Sequence, residues 1–298
     1  MTGINAITLR AWERRYGLIM PQRTASGRRV YSQADVDCIK EVLVLMEKGI
    51  PIGQMSKALQ VQDKTPEIFV KQAMSIWQKT LSSMIEAIAA FDEVRLEHLY
   101  NEILALYPID LTTERLLLPL LSLLGERWAA GLSEAPVSEE HFFAVYLKNK
   151  LGARFHHTPA NNQGPVLLAA CLPGELHEIC LLLFCLTARE HGYQVILLGA
   201  DMPLDELPIT AKHCQANAVV LSGSVAPSKQ LIKHELPTLC TKVNVPVFIG
   251  GTIATSHTKI LAATGAAPIS GSINAGLQTI GKYLKRTGTR RHIRTMSA

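Results

Sequence analysis

Glu175 and His177 stand two residues apart in the stretch Pro173-Gly174-Glu175-Leu176-His177-Glu178-Ile179-Cys180. At that spacing a carboxylate can hold one imidazole N–H, so that the other ring nitrogen is presented to a metal. The alternative is an ordinary polar loop histidine. Two later stretches, Ser222-Gly223-Ser224-Val225-Ala226-Pro227 and Gly250-Gly251, place glycines after apolar runs. They remove side chains where a bulky, elongated ligand would enter. A second chemistry lies near the start. At 100° per residue Arg10 and Arg14 share one helix face, opposite Leu9, Trp12 and Tyr16, and Arg28-Arg29 follow Gly27 as two adjacent cations. Such pairs suit phosphates and base edges, although solvated surface arginines are the plainer reading of Arg10 and Arg14 alone. No nucleophile–base pair is evident, so no enzymatic turnover is expected.

The elements that must position these groups change along the chain. Residues 8–17 read as a short helix. Arg23 and Ser26-Gly27-Arg28-Arg29 then read as a hairpin wing, and Ser32-Gln33-Ala34-Asp35 caps an amphipathic helix carrying Val36, Ile39, Val42, Leu43 and Met46. Thr65-Pro66-Glu67 opens a helical stretch running to about Phe155. Breaks at Phe91-Asp92, Tyr107-Pro108 and between Gly131 and Pro136 divide it into four helices, a bundle. From Gly164 short apolar strands alternate with helices: Pro165 to Cys171, Gln194 to Leu198, Ala218 to Ser222, Pro246 to Ile249 and Pro268 to Ser270. This predicts a doubly wound parallel sheet whose ligand lies at the carboxyl ends of the strands. Glu175, His177, Ser222 and Gly250 all fall at or just beyond such ends.

Composition agrees with a multidomain α and α/β chain. A length of 298 residues with 48% hydrophobic content supports two or three packed domains. Residues 1–31 carry a balance of +5 and residues 282–298 one of +6; against a chain total of +5 this leaves −6 for residues 32–281. Basic ends on a mildly acidic body fit a nucleic-acid-binding head and a basic tail, the tail read as unstructured. Apolar runs reach about ten residues, short of the roughly 18 needed to cross a bilayer, so no membrane association is expected. The six cysteines lack CxxC spacing, which favours reduced, buried thiols and a cytoplasmic setting over disulfides or zinc.

The run TLRAWERRYGL, continued by PQRT and the Gly27, Arg29 and Tyr31 positions, resembles the winged helix-turn-helix of the MerR family of transcription regulators. The resemblance implies DNA contacts from Thr8, Arg10, Arg14, Arg15, Arg23, Arg28, Arg29 and Tyr31. Family members begin about ten residues earlier, so the first helix of the motif is expected to be missing, which implies either a weakened DNA-binding domain or a true start codon upstream. Leu9, Trp12 and Tyr16 would then lack a packing partner.

The later constellation resembles the flavodoxin-like cobalamin-binding domain, with its D/ExHxxG, SxL and GG motifs. The resemblance gives His177 the place of the lower axial cobalt ligand and Glu175 that of its carboxylate partner. Ser222, Gly223 and Ser224, with Gly250 and Gly251, fall to the nucleotide tail. Cys180 stands where the first motif has Gly, and Ser224 where the second has Leu. LLLPLLSLLGERW, ending at Trp128, with Glu140-His141, resembles the helical cap of the light-sensing cobalamin repressors, in which Trp and Glu-His cover the upper face of adenosylcobalamin. Eleven residues separate Trp128 from Glu140, where nine are usual, so a two-residue insertion is expected in the loop. The alternative makes Trp128 a core aromatic and Glu140-His141 an exposed pair.

These resemblances imply residues 1–60 as the DNA-binding domain, 64–157 as the bundle cap, 163–285 as the cobalamin-binding domain and 286–298 as the basic tail. They imply double-stranded operator DNA as partner, self-association as a dimer or tetramer, adenosylcobalamin docked between bundle and sheet, and light as the input through photolysis of the cobalt–carbon bond. Two alternatives remain at this point. One is a corrinoid carrier or cobalamin-dependent enzyme subunit. The other is a MerR-type regulator whose sensor no longer binds cobalamin.

Overall fold

The computed structural model describes all residues except 1–3, 5, 48–49, 51, 56–58, 60–66, 158–162 and 296–298. Thr65 and Pro66 of the predicted helix start therefore lie outside the described residues. The chain divides into two compact units, residues 1–143 and 144–298.

In the first unit α1 (Ala6–Ala11) runs into a π turn over Trp12–Tyr16. The wing follows as β1 (Gln22–Arg23) and β2 (Arg29–Val30), antiparallel with Arg23 opposite Arg29. α2 (Gln33–Glu47) starts on a reciprocal cap, in which the Ser32 amide donates to Asp35 Oδ2 at 2.7 Å and the Asp35 amide to Ser32 Oγ at 3.1 Å. Its buried stripe, Ile39, Val42 and Met46, is the one the sequence periodicity predicts. Four long helices follow among the described residues: α3 (Glu67–Ala89), α4 (Glu93–Leu106), α5 (Leu118–Ala129) and α6 (Pro136–His157), the last running past residue 143 into the second unit. Asp92 starts α4 by accepting the Arg95 amide at 2.9 Å. Met84, Ile88, Leu96, Leu116, Leu120 and Leu124 fill the bundle core.

The head is not a free-standing module. Trp12 is wholly buried and its indole N–H donates to the carbonyl of Leu106, at the end of α4, at 3.0 Å. Trp12, which sequence reading leaves without a partner, thus finds one in the bundle, because a helix end offers carbonyls with no intrahelical donor.

The second unit holds a five-stranded parallel sheet: β3 (Val166–Cys171), β4 (Gln194–Gly199), β5 (Ala218–Ser222), β6 (Val247–Gly250) and β7 (Ala267–Pro268), in the order β4-β3-β5-β6-β7. β3 and β5 are buried along nearly their whole length, as continuous apolar strands covered on both faces must be. The chain order reverses beside β3, which makes the carboxyl ends of β3 and β5 the switch point. α7 (Ile179–Glu190) follows the His177 loop. The last helix, α8 (Ile273–Thr295), departs from expectation. Where the tail from residue 286 reads as unstructured in the sequence, its backbone continues the helix to Thr295, since no proline interrupts the ladder.

Candidate cofactor and nucleic-acid sites

At the end of β3 the chain turns through residues 172–178, and Glu175 points back beneath the loops of the sheet. Its side chain is 2% exposed, whereas that of His177 is 63% exposed. Glu175 Oε1 accepts both the backbone N–H of His177 at 2.8 Å and the ring Nδ1 at 2.7 Å. Glu175 Oε2 accepts the Ser224 amide and hydroxyl, each at 2.5 Å, and the Val225 amide at 3.3 Å. The carboxylate thus ties the loop after β3 to the loop after β5 and fixes the tautomer of His177 with a proton on Nδ1, so that Nε2 is the nitrogen with a lone pair suited to a metal. Burial raises the Glu175 carboxyl, but the bonds from Ser224 and His177 outweigh it and hold its pKa at about 2. It is ionised at any physiological pH.

A folded-state pKa below the ordinary value contributes stability that is present above about pH 4.5 and lost as the pH falls towards 2. Thermal unfolding of the wild type across that window should therefore lose more stability than that of a Glu175→Gln variant, which has nothing to protonate there. Parallel pH profiles would contradict the assignment of this carboxylate as the acid-sensitive group.

Two glycines beside this carboxylate sit where the packed chain leaves little room for a Cβ, Gly251 against backbone and Gly223 against a side chain. A Cβ at Gly251, where φ is +84°, would lie 2.3 Å from the Gly223 carbonyl oxygen, and one at Gly223 would lie 2.7 Å from Leu172 Cδ1. The loops after β5 and β6 are locked together by the Ile253 amide donating to the Gly223 carbonyl at 3.2 Å. Ser222 ends β5 with 8% exposure, and Gly250 ends β6. Ser224, which departs from the family motif, is the residue whose role sequence reasoning missed: it anchors Glu175. The signal lay only in its hydroxyl, 49 residues from its acceptor. Cys180 is exposed in the first turn of α7, not buried as its apolar neighbours in sequence imply; all six cysteines are unpaired.

The residues fit a corrinoid. Among the described residues no group of three or more His, Cys, Asp or Glu could hold a bare metal ion, so a metal at His177 must bring its other ligands with it. A cobalt whose equatorial positions are filled by a corrin ring meets that condition and needs one imidazole. The Cβ-free contacts at Gly223 and Gly251 keep the adjoining strand ends uncluttered.

The cap residues lie in the first unit. Trp128, half-buried at the end of α5, donates its indole N–H to Glu139 Oε2 at 2.9 Å. The partner is thus Glu139, one residue before the predicted Glu140-His141 pair. Glu140 is half-buried and His141 exposed.

In the head, Arg10, Arg14, Arg15 and Arg28 are exposed and Tyr31 is half-buried, while Thr8 is wholly buried and not displayed with the arginines. Arg29 is also held inward. It meets Glu13 through Nε at 2.5 Å and a terminal nitrogen at 3.2 Å, and Arg23 reaches the same carboxylate at 3.4 Å. The Arg29 bonds hold the Glu13 carboxyl below its usual range. The wing is thereby clamped to the helix that carries Arg10 and Arg14, and the cations left pointing outward are fewer than the sequence count.

A winged head joined to a helical bundle and a parallel sheet with a carboxylate-held histidine at its switch point defines a DNA-binding protein with a corrinoid-type sensor. Residues 1–62 match the family described as MerR HTH family regulatory protein, and residues 80–154 match the B12 binding domain. The HTH-type transcriptional repressor CarH of Myxococcus xanthus is 30% identical over 268 residues, covering 86% of this chain and 88% of that protein. The repressor CarA of the same organism is 28% identical over 269 residues, covering 89% of this chain and 88% of that protein. Among solved structures, the monomethylamine corrinoid protein of Methanosarcina barkeri aligns with a TM-score of 0.53 at 17% identity, over 68% of this chain and 97% of that one. The chain belongs to the MerR-family transcription regulators, in the group that includes the repressors CarH and CarA. It is a DNA-binding transcription regulator with a cobalamin-binding sensor. No helix among the described residues is long and apolar enough to cross a membrane.

Proposed function

We propose that this regulator binds its operator as an oligomer in the cytoplasm, that adenosylcobalamin controls that binding, and that light is the signal. The observation that carries the reading is the Glu175 carboxylate bonded at once to the His177 ring and to Ser224, an arrangement suited to presenting one imidazole nitrogen to cobalt. When bound, adenosylcobalamin supplies a cobalt–carbon bond that light can break. His177 would supply the imidazole to cobalt and Glu175 would keep its tautomer. Ser222, Gly223, Ser224, Gly250 and Gly251 form the loops assigned to the nucleotide tail. Trp128, with Glu140 and His141, is assigned to the adenosyl side on the family resemblance. Arg10, Arg14, Arg15 and Arg28 supply phosphate and groove contacts, and Arg23, Arg29 and Tyr31 set the wing. A single winged head binds weakly, and paired half-sites favour a dimer or tetramer. The reading assigns the chain no turnover, in keeping with relatives named as repressors.

The test is a gel shift with operator DNA. Protein loaded with adenosylcobalamin in the dark and desalted should stay coloured, shift the DNA, and release it after illumination. Protein that emerges colourless, or binds DNA equally in dark and light, overturns the proposal.

A further inference from the structure

We infer that Glu139 is the positioning residue that fixes Trp128, and through it sets the preference of this chain for an adenosyl over a small upper ligand on cobalt. The inference rests on the reading of Trp128 given above.

The local fold shows how the sequence builds this contact. α5 stops in a Schellman turn: the Gly131 amide donates to the Trp128 carbonyl at 3.1 Å and the Leu132 amide to the Arg127 carbonyl at 3.0 Å, with Gly131 at φ +68°. Ser133 follows, then Pro136 at the first position of α6. Ser133 Oγ accepts the Ala135 amide at 3.1 Å and donates to Glu139 Oε1 at 2.7 Å. Arg127 reaches the same oxygen at 3.5 Å. Oε2 is left for the Trp128 indole at 2.9 Å. Glu139 is 4% exposed, and its two oxygens serve two side chains from the end of α5, Arg127 and Trp128, and one from the loop that follows, Ser133. Burial raises its carboxyl, but the bonds from Ser133, Trp128 and Arg127 outweigh this and lower it, so it is charged.

A half-exposed tryptophan at a helix end has two side-chain torsions that packing alone leaves loose. A charge-assisted bond to its only polar atom selects one ring orientation. The longer loop between Trp128 and Glu140 has its structural sense here, since it closes back on Glu139. The family resemblance singles out Glu140-His141 and passes over this residue, because a helix-start glutamate has an ordinary explanation in the helix dipole.

The experiment compares dissociation constants for adenosylcobalamin and hydroxocobalamin in the dark, together with near-ultraviolet circular dichroism of the cofactor-free protein. Trp128→Ala should lose the preference for the adenosyl form and identifies the dichroism of this indole by difference. Glu139→Ala should lower the preference about tenfold, on the order expected for a hydrogen bond to a charged group, and flatten the same band before any cofactor is added. If Trp128→Ala lowers the preference and Glu139→Ala leaves it and the band unchanged, the inference fails while the reading of Trp128 stands. If Trp128→Ala itself keeps the preference, the reading of Trp128 fails and takes the inference with it. Should Glu139→Ala not fold, Ser133→Ala removes the bond that aims the carboxylate. It should lower the preference about threefold, and an unchanged value there overturns the proposal.

Discussion

His177→Ala is expected to abolish the imidazole-ligated cobalamin spectrum and weaken retention of the cofactor by more than any other single change at the sheet. It deletes the group proposed to bind cobalt, whereas changes to partners of a metal-bound histidine cost roughly 10–100-fold. Glu175→Gln is expected to fall in that range and not to be mild. An amide keeps one acceptor oxygen, but both Glu175 oxygens are committed: Oε1 to the His177 amide and ring, and Oε2 to the Ser224 amide and hydroxyl and the Val225 amide. Whichever way the amide turns, its NH2 faces donors, and each donor left unsatisfied costs about 1–3 kcal/mol. Visible absorption and titration with adenosylcobalamin decide this. A His177→Ala protein with wild-type spectrum and affinity would refute the axial assignment.

Trp12→Ala should have the largest effect on the head. Truncating a fully buried tryptophan costs about 3–5 kcal/mol, and here it also strips the donor from the Leu106 carbonyl. Arg10 lies in the helix that enters the Trp12–Tyr16 turn and Arg14 in the turn itself, so operator affinity should fall with stability. Trp12→Phe keeps most of the packing and loses only the indole bond, for about 1 kcal/mol. Thermal unfolding and operator titration of both variants check the prediction. If Trp12→Ala melts and binds like wild type, the head does not depend on its seat against α4.

The architecture was legible in the sequence because each part announces itself by a local rule. The Ser32–Asp35 cap, the Gly27 turn between the wing strands and the alternation of apolar strands with helices after Gly164 are short-range signals, and all three appear as read. So does the pairing of Glu175 with His177, since two residues of separation leave the carboxylate few other places to go. What lay hidden depends on residues brought together across long stretches of chain. Nothing near Ser224 marks it as the anchor of Glu175, and nothing near Leu106 marks its carbonyl as the acceptor for Trp12. Arg29 counts as a DNA cation in any tally of charge, yet the fold places it on Glu13. The choice between Glu139 and Glu140 as the partner of Trp128 turned on how the intervening loop closes. By itself the sequence determined the elements, their order and the identity of the candidate cobalt ligand, because periodicity, caps and turns act over a few residues. Only the tertiary structure decided which polar group satisfies which, because a buried donor or carboxylate takes its partner from whatever the packed chain places within about 3 Å.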